Sequence, residues 1–299
     1  MKNFFVIIVL CLFISLQAFA GLHVVTTTTE LAAIATEMGG VHAEVKSLIK
    51  GSQDPHYIEP KPSYASILNK ADLFIAMGLS LEIGWVPSLL TQSRNAKIQR
   101  GHEGFIEPYQ GIRILEIPSG VVDRSGGDIH PEGNPHYLMD PRNGVIVAKN
   151  IAQKMAELDP AHGDSYQKNY EIFAETMNHK IGEWQRVLSK HRGLKVVTHH
   201  QTFSYFADWL GVRVLDRIEN KPGIPPSPGH MVDLIKLIKK ESVPLVLLEN
   251  YYDPKPSQKL AGETGVKVLT LPVSVNGVET VTTYAGLFDY IVTQIVGAQ

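Results

Sequence analysis

The chain has a single cysteine in 299 residues, at position 11. It lies inside an apolar run, behind Leu10 rather than a small residue, so neither lipid attachment nor a disulfide is expected there. The roughly 280 residues after position 20 carry no thiol, which excludes a thiolate metal site and leaves stability to the core, for which that length is ample. Charge of one sign is also scarce: 28 Lys and Arg stand against 30 Asp and Glu, a formal charge of −2 at pH 7. That balance offers no electrostatic case for nucleic acid or anionic lipid as a partner. The apolar run over residues 4–16 is shorter than the ~20 residues a membrane-spanning helix needs. Lys2 before it and Ala18-Phe19-Ala20 after it give the pattern of a cleaved signal peptide over residues 1–20, and so an expectation of secretion into the periplasm.

What the chain does have is alternation. LHVVTTT reads as a strand, ELAAIATEMGG as a short helix closed by glycine, HAEVKSLI as a strand and DLFIAMG as a buried strand. From Gly193 the same alternation resumes with GLKVVTHH, FSYFADWLG, HMVDLIKLIKKE, VPLVLLEN, SQKLAGETG and VKVLTLP. Between them Tyr166, Tyr170, Phe173, Met177, Ile181, Trp184 and Leu188 recur at intervals of three and four, the stripe of one long amphipathic helix. The expected fold is α/β, with two lobes built on parallel-type sheets and joined by one long rigid helix. The expected boundaries are a signal peptide at 1–20, a first lobe at 21–158, the linking helix at 159–192 and a second lobe at 193–299. No repeat of solenoid period and no low-complexity tract is present.

All twelve histidines lie beyond residue 20. Three share one kind of place, between the end of a strand and the start of a helix: His56 in SQDPHYIEPKPS, His136 in EGNPHYLMDPRN, and one of the pair His199-His200 in VVTHHQTFSYF. In parallel α/β sheets ligands bind at the carboxyl ends of the strands, so two lobes could supply imidazoles to one cleft. Proline before His56 and His136 stiffens the loop, as a preorganised metal site requires. Adjacent residues on a strand face opposite ways, and spacing alone does not choose between His199 and His200. His130, six residues before His136 on a glycine-rich loop, reads as a solvated side chain or as an auxiliary metal-capturing group. A secreted zinc hydrolase would also use three histidines and an open position, but no H-E-x-x-H helix is present.

The segments VVTTTTELAAIA, GSQDPHYIEPKPS, ADLFIAMGLSLEIGW, GNPHYLMDP, VVTHHQTFSYFADWLG and VPLVLLENYYDPKPSQKLAGETG together resemble the substrate-binding proteins of zinc and manganese ABC importers, the cluster A-I family. The resemblance covers essentially the whole chain after residue 20. It implies two α/β lobes on one backbone helix, a divalent metal held between them, and delivery to an ABC transporter membrane permease by a protein that is no enzyme and acts as a monomer. It assigns the metal ligands to His56, His136 and His200, choosing His200 over His199. The family's usual fourth ligand is an aspartate after the last strand, and here no acid stands between Lys267 and Glu279. Glu249, at the end of the VPLVLLE strand, is the expected substitute; Glu59 or a water are the others. Three imidazoles suit Zn²⁺, whereas Mn²⁺ favours carboxylate oxygen, so Zn²⁺ is the expected transported ligand and Mn²⁺ the alternative.

Overall fold

Short β-branched runs alternating with helices lay the chain out as two successive β/α units. In the computed structural model, which describes residues 21–120 and 127–298, the first unit has β1 (Leu22–Thr26), α1 (Thr29–Gly39), β2 (Ala43–Ser47), α2 (Pro62–Asn69), β3 (Leu73–Ile75), α3 (Val86–Ser93) and β4 (Phe105–Ile106). Helices α4 (Pro141–Leu158) and α5 (Gly163–Leu188) follow. The second unit has β5 (Lys195–Thr198), α6 (Ser204–Leu210), β6 (Arg213–Arg217), α7 (Pro228–Glu241), β7 (Leu245–Glu249), α8 (Lys255–Thr264), β8 (Lys267–Leu271) and α9 (Tyr284–Gly297). Local chemistry starts several of these helices. Asp140 caps α4 by accepting from Arg142 N at 2.9 Å, with Pro141 in its first turn, and Thr283 caps α9 by accepting from Gly286 N at 3.0 Å. The signal peptide expected over 1–20 lies outside the described residues.

Both sheets are wholly parallel, with strand orders β2-β1-β3-β4 and β6-β5-β7-β8. In each, the first strand has its successors on either side, so the chain reverses its winding there and leaves a crevice at that strand's carboxyl end. The two crevices are built alike. The Thr26 hydroxyl donates to Thr28 O at 2.8 Å, and the Thr198 hydroxyl donates to His200 O at 2.8 Å. Thr27 N reaches Ile75 O across the first sheet, as His199 N reaches Leu247 O across the second. Backbone pairing thus repeats where the sequence shows no repeat, because strand ends are satisfied by main-chain groups that any side chain carries.

Helix α5 spans 26 residues with short 3₁₀ turns at both ends, Pro160–His162 and Ser189–His191. At 1.5 Å per residue the helix is about 39 Å long. It buries Tyr166, Phe173, Met177, Ile181, Trp184 and Leu188, with Tyr170 partly covered, so the stripe expected from the sequence is its inward face. Its first half is tied to the first lobe by Asn169 Nδ2 donating to Met38 O at 2.8 Å. Its last turns are tied to the second by Trp184, whose indole N–H donates to Asp289 Oδ1 at 2.8 Å while its ring packs on Trp209 and Phe288. One continuous apolar core joins the inner faces of both sheets to α4, α5 and α9. A second fastening crosses the lobes at Tyr284 of α9, whose hydroxyl donates to Leu138 O at 2.8 Å. The ring fits only because residue 144 is glycine: a Cβ there would lie 2.1 Å from the Tyr284 ring.

A rigid helix packed along both lobes resists wide hinge bending. Small-angle scattering should therefore give the same radius of gyration with and without bound metal, and hydrogen exchange should confine metal-dependent protection to 127–136 and 220–230. A large compaction on metal binding would overturn the argument.

Candidate metal centre

Two of the three expected histidines are aimed by the same local device. In Asp54-Pro55-His56 the Asp54 carboxylate accepts His56 N at 3.0 Å, and in Asn134-Pro135-His136 the Asn134 side chain accepts His136 N at 2.9 Å. Each is an Asx turn with proline fixing the middle residue, so the imidazole leaves a stiff corner. Trp85 of the first lobe pins one corner by donating to Pro55 O at 2.9 Å. Tyr205 of α6 pins the other by donating to Asn134 O at 2.8 Å, so the second lobe helps to place His136. His200 leaves the end of β5, where the Thr198 hydroxyl holds its carbonyl.

These corners bring His56, His136 and His200 together: one ring nitrogen from each lies within 4.8 Å of the others. The ring centroids are 5.2, 5.3 and 5.4 Å apart. All three side chains are buried, yet Nε2 of His136 and Nε2 of His200 have no hydrogen-bond partner. An orphaned ring nitrogen inside a protein costs about 1–3 kcal/mol, so two at one point indicate a site shaped for something else. On His56 and His200 the Nδ1 atoms are occupied. His56 Nδ1 pairs with Asp54 at 2.7 Å, and His200 Nδ1 pairs with Glu219 at 2.9 Å. With those carboxylates ionised, Nδ1 carries the proton and Nε2 presents a lone pair, the arrangement by which carboxylates orient metal-binding imidazoles.

The electrostatics agree. Burial pushes His136 well below the usual imidazole range, and the neighbouring rings of His56 and His200 push it further. His200 is lowered by burial too, although Glu219 works against the shift. Burial alone would raise Glu219, but hydrogen bonds from His199 and His200 outweigh it and hold the carboxyl at about 2. Asp54 likewise falls below its ordinary range because its bonds to His56 overcome the cost of burial.

The remaining sequence candidates separate. Glu59 is exposed. Glu249 stands outside the set of three: it is fully buried at the end of β7, and the imidazole that acts on it most is His199. Neither of its oxygens has a hydrogen-bond partner of good geometry, though the Thr202 hydroxyl lies near enough to act on its charge. His199 turns away from the cluster, stacks on Tyr252 at 4.5 Å and faces Glu219 at 3.7 Å. His130, expected in solvent or as an auxiliary group, is only 5% exposed, and its Nε2 lies 3.3 Å from Nε2 of His56. Among these rings its contact is with His56 alone, and the ring nitrogens within 4.8 Å of one another are those of His56, His136 and His200. Asp54 and Glu219 went unnoticed in the sequence. Asp54 announces itself only as the Asx-turn residue two before His56, and Glu219 is brought up by the β5–β6 pairing from 19 residues away. A cavity of about 680 Å³, lined by His56, Tyr57, Asp128, His130, Gly223 and Ile224, leads from the cluster to the surface.

The family model for the zinc-uptake complex component A, periplasmic (ZnuA), matches residues 24–298. The chain belongs to this family. It is 27% identical over 267 residues to the metal ABC transporter substrate-binding lipoprotein ScbA of Streptococcus cristatus, covering 86% of this chain and 83% of that one. To the manganese ABC transporter substrate-binding lipoprotein PsaA of Streptococcus pneumoniae it is 25% identical over 252 residues, covering 83% and 78%. Among solved structures, a crystal structure of ZnuA superposes with a TM-score of 0.78 at 24% identity, covering 93% of this chain and 98% of that one, which establishes a shared fold. The two α/β lobes on a long helix are thus the architecture of the family.

Burial pushes Glu249 from its ordinary 4.5 up to about 7. Raised above its unfolded value, the group adds stability that is complete below pH 4.5 and lost as pH climbs through 7, a difference on the order of 3 kcal/mol by pH 8. Metal-free Glu249→Gln should therefore melt above the parent at pH 8 and level with it at pH 4.5. Thermal melts that differ equally at both pH values would show that Glu249 is not held as a buried neutral acid.

Proposed function

We propose that the protein captures Zn²⁺ with His56, His136 and His200 outside the cytoplasmic membrane and delivers it to the membrane permease of an ABC importer. The observation that carries this reading is the pair of buried, partnerless Nε2 atoms on His136 and His200, converging with the ring of His56. A metal cation accepts three neutral imidazole lone pairs at once, whereas a water molecule donates to two at most. Donor chemistry favours zinc: the converging atoms are all nitrogen, which Zn²⁺ accepts in tetrahedral sites, whereas Mn²⁺ prefers carboxylate and carbonyl oxygen. The family's description as a zinc-uptake component points the same way. PsaA is named for manganese, and Mn²⁺ remains the competing cargo.

A dication between lobes must also be neutralised. Asp54 and Glu219 do this one bond away from the metal, through the Nδ1 protons of His56 and His200. Their charge strengthens the imidazoles as donors without filling the coordination sphere. The site's role as a transporter cargo site, rather than a catalytic one, rests on the kinship with importer components such as ScbA. Such kinship also supports placement in the periplasm.

Two measurements test the reading. Single replacement of His56, His136 or His200 by Ala should weaken Zn²⁺ binding more than about tenfold in a chelator-competition titration, while His199→Ala should cost less than about threefold. Parent-like affinity in His136→Ala or His200→Ala would sink it. Because His136 and His200 lie below the usual imidazole range, protons begin to compete only below the ordinary 6.5, so affinity should hold between pH 8 and pH 6 and fall beneath that. The same sign applies to folding. A folded state that binds fewer protons than the unfolded chain loses stability as pH drops below 6.5.

A further inference from the structure

A cation among His56, His136 and His200 is shut in: the three are only 9%, 8% and 1% exposed, and the rigid α5 keeps the lobes from swinging apart to free it. Whatever lets it pass must therefore move locally, in the wall of the cavity that runs from His56 to the surface. We infer that Asp128 is the positioning residue that fastens this wall shut across the two lobes and so sets how fast the metal enters and leaves; this rests on the three-histidine reading above and deepens it.

Its bonds complete a line that runs from one metal ligand to another. Tyr57 follows His56 in the chain, and its hydroxyl donates to the Asp128 side chain. Tyr57 is 60% exposed, so packing does little to place it and the bond to Asp128 does more. Asp128 N in turn donates to Pro222 O of the second lobe at 2.8 Å. Beside that contact Gly223 N donates to Glu219 Oε2 at 3.0 Å, and the same oxygen pairs with His200 Nδ1 at 2.9 Å. The carboxylate that orients His200 thus also holds the loop that Asp128 grips. A ligand of the first lobe and a ligand of the second are joined around the outside of the site through one residue.

The two loops meet closely enough to require glycine on both sides. Gly127 and Gly223 stand at φ 86° and 71°, in the left-handed region that other residues enter only at a cost. A Cβ on Gly127 would overlap Pro222 O, and one on Gly223 would overlap both the Tyr57 hydroxyl and Asp128 Oδ2. A casual contact between surface loops would leave room for a methyl group, and this one leaves none. Gly127, Asp128, Pro222 and Gly223 all line the cavity, together with His56 and Tyr57, so the contact lies on the way out. It consists of a few hydrogen bonds, each of modest net strength, and can part by loop motion without disturbing α5. Because it grips loops and not the cation, it slows passage in both directions.

Stopped-flow metal exchange separates this from a merely structural role. Breaking the bond between Tyr57 and Asp128, by Asp128→Ala or Tyr57→Phe, should quicken Zn²⁺ release to excess EDTA about fivefold, the worth of one hydrogen bond, and should quicken Zn²⁺ capture as well. The double variant should be no faster than either single one, because both remove the same bond. Asp128→Asn, whose amide oxygen still accepts from Tyr57, should return most of the parent rate. Gly223→Ala, which wedges the same contact apart, should match Asp128→Ala. Parent-like release in Asp128→Ala, or additive gains in the double variant, would overturn the assignment. So would faster release with capture unchanged or slowed, since Asp128 would then only steady the ligands. Each of those results would leave the three histidines in place, whereas failure of His136→Ala and His200→Ala to weaken binding would overturn the reading beneath it.

Discussion

Three imidazoles borne by two lobes meet within 4.8 Å only if the lobes keep their distance, and the packing of α5 across both of them enforces that. Tyr166, Phe173 and Met177 seat the helix at one end of a shared core, and Trp184 and Leu188 seat it at the other. Truncating a buried tryptophan such as Trp184 would cost ~3–5 kcal/mol, comparable with the whole stability of many domains. The strain of convergent lone pairs is therefore borne by a frame that cannot relax it locally. Were the joint a flexible strand crossover, the rings would part and each would take water.

Charge is arranged at one remove for a related reason. An acid placed directly in a buried cluster must either ionise, at a large desolvation cost, or sit protonated and useless as a ligand. Glu249 shows that cost, since burial pushes it from its ordinary 4.5 up to about 7. Asp54 and Glu219 escape it because each receives hydrogen bonds from protonated ring nitrogens and, for Glu219, from Gly223 N at 3.0 Å. The negative charge that a buried dication demands is thus stored where it is already satisfied before any metal arrives. His199 is part of this store, since it shares Glu219 with His200 although it turns away from the cluster.

The features written in local patterns could be read from the sequence, and those set by tertiary approach could not. Alternating β-branched runs and the three-and-four stripe from Tyr166 to Leu188 marked both sheets and α5, because a periodicity reports which face is buried whatever it is buried against. The two Pro-His-Tyr corners marked His56 and His136 in the same way. Glu219 lies two residues beyond the ordinary strand β6, and only the β5–β6 pairing lays it beside His200. His130 lies among glycines, where no period operates, so its approach to His56 at 3.3 Å left no mark in the sequence. Glu249 closes a strand that the sequence marked, and which imidazole its carboxylate lies nearest, here His199, is again set by tertiary approach.

The contact between Tyr284 and the main chain at Leu138 bears on the order of assembly. It joins positions 146 residues apart, and it secures the segment that follows His136 with a helix made from the last residues of the chain. A chain emerging from its amino end, whether from a ribosome or a membrane pore, can form its first sheet early, yet it cannot fasten His136 until α9 has arrived. Long-range closures of that kind come late in folding because their loop entropy must be met first. The centre is finished after α9 has docked, so a cation is offered a complete site only by a molecule in which that helix is already in place.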